Sequence, residues 1–150
     1  TASNPDPTID GLDDSGAAFV FTRRVTAWFA SSMLKAHAPG VSDHFGTGVA
    51  IDRGIIVVSA PGEDGAGGGV NAPVDELALN SGGVYVYVQS GTAFIFHAYL
   101  KAPSTDAGDL FAALSVDAGR IFIGSRLEDG RGGDPADDSL PDAGAAFLFE

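Results

Sequence analysis

Acidic side chains are the residues of this chain that could do chemistry. Two Glu-Asp pairs, Glu63-Asp64 and Glu128-Asp129, each sit in a Gly-rich stretch with further carboxylates downstream, Asp75 in one and Asp134, Asp137 and Asp138 in the other. Clustered carboxylate oxygens are what Ca²⁺ requires, so these eight residues are the candidate calcium ligands. Their spacing matches no known metal loop, and a solvated acidic turn is the preferred reading. Paired carboxylates could also act as acid and base in a hydrolase. Adjacent acids in Gly-rich loops are more often turn formers, since Asp side chains bond their own backbone. The three histidines, His37, His44 and His97, form no H-x-x-x-H or H-E-x-x-H pattern. No G-x-S-x-G elbow occurs, and Gly67-Gly68-Gly69 precedes neither a helix nor a lysine, so a phosphate cradle is not expected. The expectation is a non-enzymatic chain with no catalytic residue and no bound organic cofactor.

Charge and composition narrow the partners. Eight Lys and Arg against 20 Asp and Glu give a net charge of −12 over 150 residues, the wrong sign for a nucleic acid backbone or an anionic membrane surface. Lys35 and Lys101 are the only lysines, a depletion that suits an extracellular setting. No cysteine is present, so disulfides and thiolate chemistry are excluded. The sequence starts at Thr1 with no basic-then-apolar leader, and no apolar run nears the roughly 18 residues of a membrane span. It reads as a mature product or a piece of something longer.

The elements that would position these residues come in repeats. Gly16-Ala17-Ala18-Phe19-Val20-Phe21 returns as Gly82-Gly83-Val84-Tyr85-Val86-Tyr87 and as Gly144-Ala145-Ala146-Phe147-Leu148-Phe149, offsets of 66 (16 to 82) and 62 (82 to 144). Met33-Leu34-Lys35-Ala36 recurs as Tyr99-Leu100-Lys101-Ala102, and Asp43-His44-Phe45-Gly46 as Asp109-Leu110-Phe111-Ala112. Ile55 to Pro61 aligns with Ile121 to Leu127, with one deletion after Phe111, and Glu63-Asp64-Gly65 with Glu128-Asp129-Gly130. This organises the chain as a loop over 1–14, a first repeat over 15–80, a second over 81–142, and the first strand of a third over 143–150.

Each repeat predicts four short strands. Ile55 to Ser59 and Gly82 to Val88 are almost continuously apolar, as strands covered on both faces should be. Phe94, Phe96, Ala98 and Leu100 alternate with Ile95, His97, Tyr99 and Lys101, which predicts a half-buried strand with His97 and Lys101 on the polar side. His44 is expected to pack locally. The fourth strand spans Phe45 to Ile51, with a shorter counterpart over Phe111 to Val116. With 21 glycines and 8 prolines marking turns, the fold class is all-β. Four antiparallel strands per unit suggest β-propeller blades.

Several of these words resemble the FG-GAP repeats of the integrin alpha-subunit head propeller and of bacterial surface proteins. Phe45-Gly46-Thr47-Gly48-Val49-Ala50-Ile51 is similar to the FG element, Val57-Val58-Ser59-Ala60-Pro61-Gly62-Glu63-Asp64 to the GAP element, and Gly82 to Tyr87 to the strand that follows. Phe111-Ala112 and Gly124-Ser125-Arg126-Leu127 depart from the pattern. The acidic calcium loop of integrin-like repeats is missing, replaced by Asp52-Arg53-Gly54 and Asp117-Ala118-Gly119-Arg120, so that site is not carried over. The resemblance implies an extracellular or cell-surface module for adhesion or structural assembly, meeting protein or glycan ligands through its loops or other copies through its edges.

About two repeats fall short of the roughly four to eight blades that close a ring, so an incomplete ring with two unpaired strand edges is expected. Those edges are Gly16, Phe19 and Phe21 at one end and Gly144, Phe147 and Phe149 at the other. Edges recruit strands. A longer parent chain or an open head-to-tail filament is favoured over a closed ring, because the final strand duplicates the first.

Overall fold

A computed structural model describes residues 11–132, 134 and 136–150; the first ten residues of the expected opening loop lie outside it. The described chain is all-β, with nine strands and no helix: β1 (Ala18–Arg24), β2 (Ala27–Leu34), β3 (Val49–Asp52), β4 (Ile55–Ala60), β5 (Gly83–Ser90), β6 (Ala93–Leu100), β7 (Phe111–Asp117), β8 (Arg120–Ser125) and β9 (Ala145–Phe149). They pair antiparallel into three open sheets, β1-β2, β3-β4-β5-β6 and β7-β8-β9. The sequence repeat is out of phase with the sheets. The first repeat holds β1 to β4, whose first two strands close one sheet and whose last two open the next.

The apolar runs become the inner strands because both of their faces are covered. Val57, Val58, Ala60, Val84 and Tyr85 have essentially no exposed surface. Tyr85, Tyr87, Ile56 and Val58 pack with Leu34 and Phe45 in one core cluster, while Val57, Val84 and Val86 pack with Phe111, Ile121 and Ile123 in a second. The middle sheet is therefore sandwiched between the outer two, and its aromatic face is turned to β1 and β2.

Two expectations about strand faces are corrected. In β5-β6, Val86 pairs with Ala98 and Tyr87 with Phe96, leaving His97 as an extra residue; in β1-β2, Val20 pairs with Ser32 and Phe21 with Ala30, leaving Ser31. One inserted residue reverses the alternation beyond it. Phe94 and Phe96 thus pack on the first cluster while Ala98 and Leu100 belong to the second, and Lys101 is fully buried, not on a polar side. The fourth strand is also shorter in the first unit than in the second, since β3 begins only at Val49. Pairing of Ile51 with Ile56 and of Val116 with Ile121 shows that Ile121 takes the place of Ile56, an offset of 65 (56 to 121), not that of Ile55.

Neighbouring sheets are tied by a repeated row of backbone bonds. The amides of Ser42, His44 and Phe45 donate to the carbonyls of Asp13, Asp14 and Ser15, and those of Gly108, Leu110 and Phe111 to Leu79, Asn80 and Ser81. This close approach needs glycine at two places. Gly16 and Gly82 have φ of 78° and 83°, and a Cβ on either would lie 2.1 Å from the Phe45 carbonyl oxygen or 2.5 Å from the Phe111 nitrogen. Asp14, Asn80 and Asp142, just ahead of these turns, share a left-handed backbone near 54°, which Asp and Asn tolerate. His44 is exposed and holds a φ of 55°, so its role is in the backbone turn and not in packing.

Candidate functional site

One charged cluster is sealed inside the fold. Lys101, at the end of β6, is fully buried, and its Nζ donates to Glu63 Oε2 at 2.8 Å and to Ser81 Oγ at 2.6 Å. Glu63 enters from the loop after β4 and also accepts the Gly65 amide at 3.1 Å, while the Ser81 hydroxyl contacts the Glu63 and Gly65 carbonyls. Both ends of the β4–β5 loop and the start of the β6–β7 loop therefore meet on a single ammonium. Burial holds the Lys101 pKa below its ordinary value, with Glu63 and Asp109 opposing the shift. Burial, reinforced by Glu63, pushes the neighbouring Tyr99 hydroxyl well above the usual phenol range. A buried lysine of lowered pKa is the raw material of carbonyl chemistry, but this one is closed off from solvent and held by a carboxylate. Its effect is to close the β4–β5 loop on itself and pin it to the chain leaving β6.

The same cluster occurs twice more in incomplete form. Lys35, at the end of β2, donates to Ser15 Oγ at 2.7 Å and to the Gly16 carbonyl at 2.5 Å, repeating the Lys101–Ser81 pair at an offset of 66 (35 to 101, 15 to 81). No acidic partner reaches Lys35 among the described residues. Glu128 repeats Glu63 after β8; it is 6% exposed, and its Oε2 has no hydrogen-bond partner among the described residues. Burial, then the charges of Asp109 and Asp106, push Glu128 up to about 7. Ala143 stands where Ser81 would be, since Ala143-Gly144 repeats Ser81-Gly82.

Sequence reasoning aligned the two lysines and placed Lys101 on the polar side of its strand. The informative signal was the serine 20 residues upstream, recurring at the same offset as the lysine. The calcium candidates are used differently. Glu63 is bound to Lys101, and Asp64 and Asp129 accept the Asn80 and Asp142 amides, each at 2.6 Å. Asp75 accepts the Ala66 and Leu77 amides, Asp134 that of Ala136, and Asp137 those of Arg131 and Ser139. Asp138 is exposed. Among the described residues no three His, Cys, Asp or Glu side chains gather as a metal group. Asp52 in turn accepts the Ala118 amide of the next hairpin at 2.8 Å.

Comparison of the chain with protein-family models, with curated proteins and with solved structures finds no match.

At the outer edges, Phe19 and Phe21 are 60% and 54% exposed. Their counterparts Phe147 and Phe149 are half-buried against Phe111, with ring centroids 5.6 and 6.3 Å apart. Gly16 belongs to the sheet-joining row and Gly144 is exposed. Trp28 and Phe29 on β2 add further exposed aromatic surface.

Proposed function

We propose that the chain is a non-enzymatic module of FG-GAP-like, propeller-type blades, acting at the cell surface or outside the cell, and that its work is structural assembly. The observation that carries this reading is the composition of the outer sheets. Among the described residues the middle sheet has four strands and its neighbours two and three, with β1 and β9 lacking a partner on one side. Open edges with exposed Phe19, Phe21 and Trp28 are surfaces that natural monomers normally cover or charge. Light scattering on the purified 150-residue chain tests it. Masses above 15.2 kDa that rise with concentration are expected, and a monomer at every concentration would refute the assembly role.

Adhesion through the loops over 61–81 and 127–143 is a second reading. It is favoured by one observation: Asp64 and Asp129 clamp the two loops in the same way, which gives a recognition surface a fixed shape. A hydrolase is disfavoured because Glu63, Asp64 and Asp75 of the first loop and Asp129 and Asp137 of the second are engaged by backbone amides or by Lys101.

A further inference from the structure

Among the described residues, Glu128 and Lys35 are the two halves of one broken cluster. The chain itself contains the intact template, Glu63 with Ser81 and Lys101, in which the acid follows the second strand of a sheet, the serine precedes the third, and the lysine follows the fourth. The last sheet supplies the acid, Glu128, and the first sheet supplies the serine and lysine, Ser15 and Lys35. Glu128 Oε2 is buried with no hydrogen-bond partner among the described residues, and an ammonium would supply the one that Lys101 gives Glu63.

The strands repeat this complementarity. β9 and β1 carry nearly one sequence, Gly-Ala-Ala-Phe-Leu-Phe against Gly-Ala-Ala-Phe-Val-Phe, differing only at Leu148 and Val20. In the middle sheet Tyr85 and Tyr87 lie opposite Val58 and Ile56; in the last sheet Phe147 and Phe149 lie opposite Ile123 and Ile121. Phe19 and Phe21 are the residues of β1 at those positions, and they are exposed. β1 can therefore fill the site of β9 with the same two phenylalanines.

We propose that the β1–β2 hairpin of a second copy takes the place of β9 beside β8, so that Lys35 and Ser15 of that copy close on Glu128. This rests on the assembly reading and names its contact. The resulting sheet, β7-β8 of one copy and β1-β2 of the next, has the four strands of the middle sheet. Exchange of nearly identical strands is inexpensive in free energy, and the regained ion pair sets its direction. Two other contacts are excluded by the same chemistry. Adding β2 alone outside β9 would bring Lys35 with Ala143 and no hydroxyl, and stacking the outer faces of two copies would leave Glu128 unpaired.

Charge reversal tests the contact on the full chain. Glu128→Lys places two lysines at the junction and Lys35→Glu places two carboxylates there, so each variant alone should stay at 15.2 kDa where the parent associates. Mixed one to one, every junction again joins a lysine to a carboxylate, and association should return. If both variants associate as the parent does, or if the mixture stays monomeric, the contact is wrong although assembly stands. A parent that never associates removes the assembly reading itself. Should circular dichroism show a reversed variant unfolded, Glu128→Gln and Lys35→Met replace the pair. Each should then weaken association by about tenfold or more, and an unchanged mass distribution would overturn the proposal.

Discussion

At Lys101 the decisive quantity is the loss of water around three polar groups. Removing one member of a buried pair strands the other, at about 3–5 kcal/mol, whereas removing both with apolar replacements can be near neutral. Lys101→Met should therefore lower the urea-unfolding free energy by about 3 kcal/mol or more, and Glu63→Leu combined with Lys101→Met should cost clearly less than the two single changes added together. A titration signature belongs to Glu128. Its folded pKa of about 7 exceeds the ordinary 4.5, so between those values the folded chain holds more protons than the unfolded one, and stability falls as pH rises through the window. The fall amounts to at most about 3 kcal/mol. Glu128→Gln should flatten the profile of unfolding midpoint against pH from about 4.5 to 7, and an unchanged slope would place the titration elsewhere. None of this was legible from Lys101 alone, because a residue next to an alternating strand inherits its face from that strand.

At the scale of elements, the strands and their turns were legible and the faces were not. Valine, isoleucine and tyrosine runs at a fixed offset mark β4 and β5 without help from tertiary structure. Nothing in the letters of Phe96-His97-Ala98 announces the bulge, since an extra residue in a strand becomes visible only through the partner it fails to meet. Hairpin chemistry is more transparent. Arg53-Gly54 and Ala118-Gly119 both adopt positive φ at both positions, 46° and 81° in one and 50° and 86° in the other, as two-residue hairpins require. At the β1–β2 turn Val25 takes a φ of 56° where the equivalent residue is Gly91 at 63°. A β-branched residue is strained there by roughly 1 kcal/mol or more, and Val25 is 91% exposed. Val25→Gly should raise thermal stability, a gain of about 1 kcal/mol at the midpoint. Glycine at the sheet junction behaves oppositely. Gly82→Ala drives a Cβ into the Phe111 backbone and should cost more than about 2 kcal/mol, while Gly119→Ala, with φ of 86° and open space around it, should cost about 1 kcal/mol from backbone strain alone.

Over the whole molecule the repeat foretold an all-β chain, and the pairing adds where the described sheets divide. Sequence comparison begins a repeat at whichever strand is most recognisable, here Gly16 to Phe21, whereas hydrogen bonding groups β3 to β6. That phase difference decides which groups are orphaned at each end, so the complementarity of Glu128 and Lys35 becomes visible only once the sheets are drawn. Assembly should accordingly depend on pH and salt as a buried ion pair does, persisting at an ionic strength of about 0.5 M that screens exposed charges. Dissociation by salt alone would point to surface contacts.

The staggered division of strands between neighbouring sheets bears on repeat number. Excising residues 17–82 would join Gly16 to Gly83 and leave β5-β6 as a two-stranded sheet beside β7-β8-β9. Both terminal sheets would keep their strand number. Duplicating the same stretch would lengthen the array with equal indifference. The strand make-up of the first and last described sheets is therefore independent of how many repeats lie between them.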